Sequence, residues 1–134
     1  MQMVLMIVIA LHVLSGVFWA GSTFVLARSA GIGAERLAYP QIGAATLAVL
    51  AGIVLWGLTH RYGFGVTEQV LALGAGCAIA AAGLQGFALP VVHSLRKAGA
   101  DETSRLRTRI TIAQRIAAAL LAITVVCMAV ARYA

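Results

Sequence analysis

Residues 3–27 read MVLMIVIALHVLSGVFWAGSTFVLA, an unbroken run without a lysine, arginine, aspartate or glutamate. Coiled as an α-helix at 1.5 Å per residue, the run covers ~37 Å, more than the ~30 Å of a bilayer's hydrocarbon. Arg28 ends it. Three further runs follow: QIGAATLAVLAGIVLWGLTH over 41–60, QVLALGAGCAIAAAGLQGFALPVVH over 69–93 and ITIAQRIAAALLAITVVCMAVA over 110–131. Each is about long enough to span. Pro40 stands just before the second run, where its missing N–H costs nothing if a helix begins there.

The composition agrees. Of 134 residues, 62% are hydrophobic and only 10% charged, with a mean hydropathy of +0.98. That is too little charge to cover the surface of a water-soluble domain. The chain therefore reads as one membrane domain, residues 1–134, of the all-α class. The opening MQMVLM has no basic residue and the first run is long for a signal peptide, so it is expected to stay as a spanning helix. The net charge of +6 does not indicate nucleic acid, because the basic residues lie between apolar runs and form no basic helix or aromatic platform. Cys77 and Cys127 sit inside apolar runs without a CxxC pair and read as small buried hydrophobes.

Short connections make the spans alternate, which predicts an antiparallel four-transmembrane-helix bundle. The stretch 61–68, RYGFGVTE, reads as a glycine turn with interfacial aromatics, and 94–109, SLRKAGADETSRLRTR, as a polar loop with room for one short interfacial helical turn. One side carries Arg28, Arg36, Arg96, Lys97, Arg105, Arg107 and Arg109, with Arg115 just inside the last span; the other carries Arg61 and Arg132. The positive-inside rule puts the first side in the cytoplasm and both termini outside.

Helices in lipid associate by close packing, so small residues mark their contacts. Gly74, Ala78, Ala82 and Gly86 recur every four residues, as do Ala44, Ala48 and Gly52, and Ala118 and Ala122. Gly76, Ala80 and Ala81 leave a second smooth face on the third span, suited to a second copy, to a larger membrane complex, or to membrane lipids filling it. Pro90 predicts a kink or a loosened last turn, with His93 at the interface.

The polar residues at membrane depth carry the functional reading. His12 lies ~12 Å inside the outer edge, and Ser15, Gly16, Trp19 and Thr23 share its helical face, which should look into the bundle. A neutral imidazole there either ties helices together or ligates a metal or haem iron. Trp56 and His60 share a face with Gly52, but His60 lies roughly 10 Å from the depth of His12 by helix rise. Cys127 and Met128, with Met6, are soft donors near the depth of His12, a set suited to copper. Gln85 and Gln114 have comparable depths and are positioned to bond across a helix gap. Arg115 either snorkels or pairs with an anion such as a lipid phosphate or a haem propionate. The spans contain no aspartate or glutamate, and no nucleotide or metalloprotease motif occurs.

LHVLSGVFWAG, residues 11–21, resembles the opening helix of two related groups of small bacterial membrane proteins: the copper-resistance D domain and the small membrane-bound protoporphyrinogen oxidase group. Both place a histidine seven residues before a tryptophan closely followed by glycine, here His12, Trp19 and Gly21, and in the oxidase group a basic residue near the helix end matches Arg28. The resemblance implies a multi-pass protein of the bacterial plasma (inner) membrane with haem or metal ligation by His12. The expected site is His12, Gly16, Trp19, Trp56 and His60 around a b-type haem for electron transfer or membrane redox chemistry. The alternatives are copper held by His12 with Cys127 and Met128, and a non-catalytic scaffold or accessory subunit.

Overall fold

The computed structural model describes residues 1–60 and 63–134. Arg61 and Tyr62, assigned from sequence to the outward turn and, for Arg61, to the outward charges, lie outside the described residues. The chain is an all-α bundle of four helices: α1 (Gln2–Arg28), α2 (Ala34–Thr59), α3 (Val66–Leu95) and α4 (Ala100–Ala131), each long and apolar enough to cross a membrane.

Neighbouring helices run antiparallel. His12 on α1 meets Ala48 on α2 while Thr23 meets Gln41, so one number rises as the other falls. The pairs Gly74–Thr124 and Gln85–Gln114 show the same for α3 and α4, and Ala27–Arg115 and Gly31–Arg107 for α1 and α4. The α3–α4 seam is the most extensive, then α1–α2, α1–α4 and α2–α3, which makes a four-sided ring with α1 opposite α3.

Two boundaries differ from the sequence reading. α2 begins at Ala34, so Pro40 lies inside it and not before it. The proline withdraws the hydrogen bond to the carbonyl of Arg36. Both residues are exposed at the charged end of the bundle, where solvent can replace that bond. α4 begins at Ala100, so the expected loop with one helical turn is instead nearly three turns continuous with the span. Asp101 and Glu102 in its first turn favour that start by facing the positive end of the helix dipole. α3 passes Pro90 and continues to Leu95, with Pro90 and His93 both exposed.

Between α1 and α2 the chain turns in five residues, with Ala30, Gly31 and Gly33 at positive φ. A Cβ on Gly31 would stand 3.4 Å from the carbonyl of Arg107 and from the side chains of Ile110 and Thr111. Arg107 straps this turn: it donates to the Gly31 carbonyl (2.9 Å) and pairs with Glu35 (2.6 Å), while Arg96 donates to the Glu35 carbonyl (2.9 Å).

The packing is inverted relative to a soluble bundle. The central core is Trp19, Leu121 and alanines at 45, 48, 78, 81 and 117, and a second cluster at the charged end holds Leu26, Val92, Leu95 and Ile110. Phe18, Phe24, Ile53, Phe87 and Val126 point outward. In water an apolar exterior of this extent would be a liability; in lipid it is the surface the solvent requires, and small interior residues let the backbones approach.

Candidate functional site

The face expected to turn inward does so: Ser15, Trp19 and Thr23 are buried, and His12 and Gly16 half-buried. Two polar assemblies grow from it.

The first is a knot that joins all four helices. Trp19 Nε1–H donates to Gln85 Oε1 (2.6 Å), and Gln85 Nε2 donates to Thr23 Oγ1 (2.9 Å) and Gln114 Oε1 (3.1 Å). Gln41 Nε2 donates to Thr23 Oγ1 (3.0 Å) and Gln114 Oε1 (3.2 Å), and Gln114 Nε2 returns a bond to Gln41 Oε1 (3.1 Å). Thr23 Oγ1 in turn donates to the Trp19 carbonyl (2.7 Å). The Gln85–Gln114 pairing follows from their matched depths. Gln41 was not legible as a member: a span starting at residue 41 puts it at the helix end, whereas a helix starting at Ala34 carries it seven residues inward, ~10 Å. Among the described residues no buried side-chain polar atom lacks a partner, so this knot fastens helices together through bonds it has already made.

The second assembly is His12 against α2. Its Nδ1 lies 2.8 Å from the carbonyl oxygen of Ala48. A carbonyl only accepts, so the proton is on Nδ1, and in the neutral ring the lone pair is on Nε2. Gly52 makes room for the ring: a Cβ there would come within 3.1 Å of His12 Cε1. One turn inward along α1, the place of a Cβ on Gly16 is open. Ser15 takes no part, since its hydroxyl bonds back to the carbonyls of Leu11 and His12.

His60 and Trp56 belong elsewhere. Their rings stack with centroids 5.1 Å apart, Thr59 Oγ1 lies 2.7 Å from His60 Nδ1, and His60 Nε2 is 3.9 Å from Glu68 Oε1. Glu68 also accepts the Gly65 N–H (2.8 Å), fastening the start of α3. His60 lies eight residues beyond Gly52, ~12 Å along α2 from where His12 docks. The two imidazoles are therefore not brought to one site.

Cys127 is buried against α3, its Cβ 3.0 Å from where a Cβ on Gly74 would stand, and Met128 is 39% exposed on the outside. His12 thus packs on α2 and Cys127 on α3. Both cysteines are free thiols, and among the described residues no three of His, Cys, Asp and Glu are grouped as a metal site. Gly74 and Ala78 of the small-residue stripe are buried within the bundle, as is Ala81, expected on the spare face; Gly76 and Ala80 remain outward. Comparison with known protein families, with characterised proteins and with solved structures finds no match.

Proposed function

We propose that this membrane bundle holds one b-type haem through Nε2 of His12 and serves electron transfer or redox chemistry within the membrane. The supporting observation is the His12–Ala48 hydrogen bond. Haem- and metal-ligating histidines commonly donate their second N–H to a carbonyl, which fixes the tautomer and raises the basicity of the other nitrogen. Here that arrangement is present, with Nε2 as the remaining donor atom and an open glycine position one turn away. Of His12 and His60, His12 alone would hold the group; His60 is too far along α2 to join it. When bound, haem supplies the electron chemistry, and the chain supplies ligand, orientation and an apolar surrounding. Copper with Cys127 and Met128 is the less favoured cofactor, because Cys127 packs on α3 and His12 on α2.

The same bond favours a second reading, in which His12 only ties α1 to α2 within a scaffold. Asparagine separates the two, because its side-chain N–H can replace Nδ1–H while nothing replaces Nε2. Full-length protein expressed with ample haem is expected to show a Soret band that His12→Asn loses with little change in stability. Wild-type protein without a Soret band removes the haem proposal. A band intact in His12→Asn removes His12 as the ligand. Metal analysis of the same wild-type sample tests copper, and stoichiometric copper without haem would reverse the preference.

The charge asymmetry supports an orientation with the Arg107 end in the cytoplasm and both termini outside, in the bacterial plasma membrane that the resemblance of residues 11–21 implies. Reporter fusions at each terminus test it, and a cytoplasmic signal from either would overturn it. The outward Gly76–Ala80 face suits a two-fold pairing with a second copy. Cross-linking of Ala80→Cys is expected to give dimers, and its failure in native membranes would refute the pairing.

A further inference from the structure

Arg115 is exposed yet anchored. Its Nε–H donates to the carbonyl of Ala27 (3.3 Å), in the last turn of α1. That carbonyl belongs to the set a helix end leaves without intrahelical partners. Val25 and Leu26 give theirs to the N–H groups of Ser29 (2.9 Å) and Gly31 (3.1 Å), and Arg115 serves Ala27 from the neighbouring helix. This uses one of five guanidinium donors and leaves the terminal fork, the geometry that suits a phosphate.

Arg28, the next residue after Ala27, is exposed and likewise basic. Among the described residues neither arginine is in an ion pair: Glu35 is taken by Arg107, and the other pair is His60–Glu68. Just inside the membrane from these charges, Phe24 and Val25 on α1 and Ile116 on α4 are about half exposed. Two uncompensated guanidiniums over an apolar outer surface fit a molecule with a phosphate at one end and hydrocarbon at the other.

We propose that the charged end of the α1–α4 seam is a binding site for one anionic phospholipid, its phosphate held by Arg28 and Arg115 and its chains lying on the apolar surface below. Two positive charges favour a headgroup with net negative charge over one whose own ammonium opposes them. Anionic lipids gain roughly fivefold in occupancy per nearby basic residue.

The test is native mass spectrometry of the full chain from micelles containing equal amounts of phosphatidylglycerol and phosphatidylcholine with the same chains. Wild type is expected to retain one phosphatidylglycerol with a preference of roughly 25-fold, about fivefold from each of the two arginines. Arg28→Gln should lower the preference roughly fivefold, and Arg115→Lys, which keeps the charge but loses the anchored fork, should lower it as well. Arg105→Gln, an equal charge loss at the same end, should leave it unchanged, and millimolar inorganic phosphate should not displace the lipid. No headgroup preference in wild type, equal loss in Arg28→Gln and Arg105→Gln, full preference in Arg115→Lys, or displacement by free phosphate would each overturn the proposal.

Discussion

Replacing Gln114 with leucine keeps the side-chain volume nearly constant and removes one member of the four-helix knot. Three bonds go: the two exchanged with Gln41 and the one accepted from Gln85. Interhelical hydrogen bonds in membranes average ~0.6 kcal/mol, so these amount to ~2 kcal/mol. Gln41 and Gln85 each keep a bond to Thr23, but Gln41 Oε1 loses its donor, and an orphaned buried carbonyl adds ~1 kcal/mol or more. Gln114→Leu is therefore expected to destabilise the bundle by ~3 kcal/mol. Gln41→Leu should cost about the same, since it breaks the same reciprocal pair and orphans the Gln114 amide. The double variant removes both ends of that pair and leaves neither orphan. It should cost ~3 kcal/mol less than the sum of the singles. Reversible unfolding in mixed micelles of increasing sodium dodecyl sulfate measures all three. A Gln114→Leu protein within ~0.5 kcal/mol of wild type, or a strictly additive double variant, would refute the account of the knot as a cooperative unit.

The remaining expectations are simpler. Gly74→Val should destabilise the α3–α4 seam by ~2 kcal/mol, because even a Cβ there stands 3.0 Å from Cys127 Cβ, whereas Gly83→Ala, with open space around it, should be neutral or stabilising; equal effects in the same unfolding assay would contradict the packing. In a Trp56→Phe background, Gln85→Leu should shift the fluorescence of Trp19 to shorter wavelength by removing the acceptor of its indole N–H, and an unchanged spectrum would count against that bond. Arg107→Lys cannot hold both the Gly31 carbonyl and Glu35 with one planar fork, so amide exchange over residues 29–35 should rise several-fold, and unaltered protection would show that the strap is idle.

The sequence legibly contained the four helices, because a run such as 3–27 has one stable form in hydrocarbon, with every backbone group bonded inside the segment. It was less informative about helix ends. The hydropathy pattern places Pro40 just before the second span, yet α2 carries it as its seventh residue, where exposure makes the lost bond cheap. The polarity of 94–109 predicts a loop with room for one short helical turn, but polarity reports solvent, not conformation, and the arginine, leucine and glutamate of 100–109 are good helix formers. The Gln85–Gln114 contact needed only depth, which counting supplies. Membership of Gln41, and the bond from Trp19 to Gln85 across the diagonal, needed true helix starts and rotations, which only packing fixes. The separation of His12 from His60 was legible by rise alone. The carbonyl that holds His12 was not, because a backbone oxygen free to accept has no signature in side-chain identity.

Alanine seams carry a mechanical consequence. Shafts faced with methyl groups have shallow corrugation, and one axial setting differs little from the next. Bonds of 2.6 to 3.2 Å do not survive a displacement of one residue, ~1.5 Å along the axis. The knot, set toward the charged end, is thus the mark at which all four shafts are aligned at once, while the His12–Ala48, Gly74–Thr124, Ala27–Arg115 and Gly31–Arg107 bonds each align one pair. A push along any helix strains that mark together with the pairwise bonds of the same helix. The bundle accordingly behaves as a detent, either seated or released, and any helix that shifts during its working life must unseat glutamines on its neighbours in the same event.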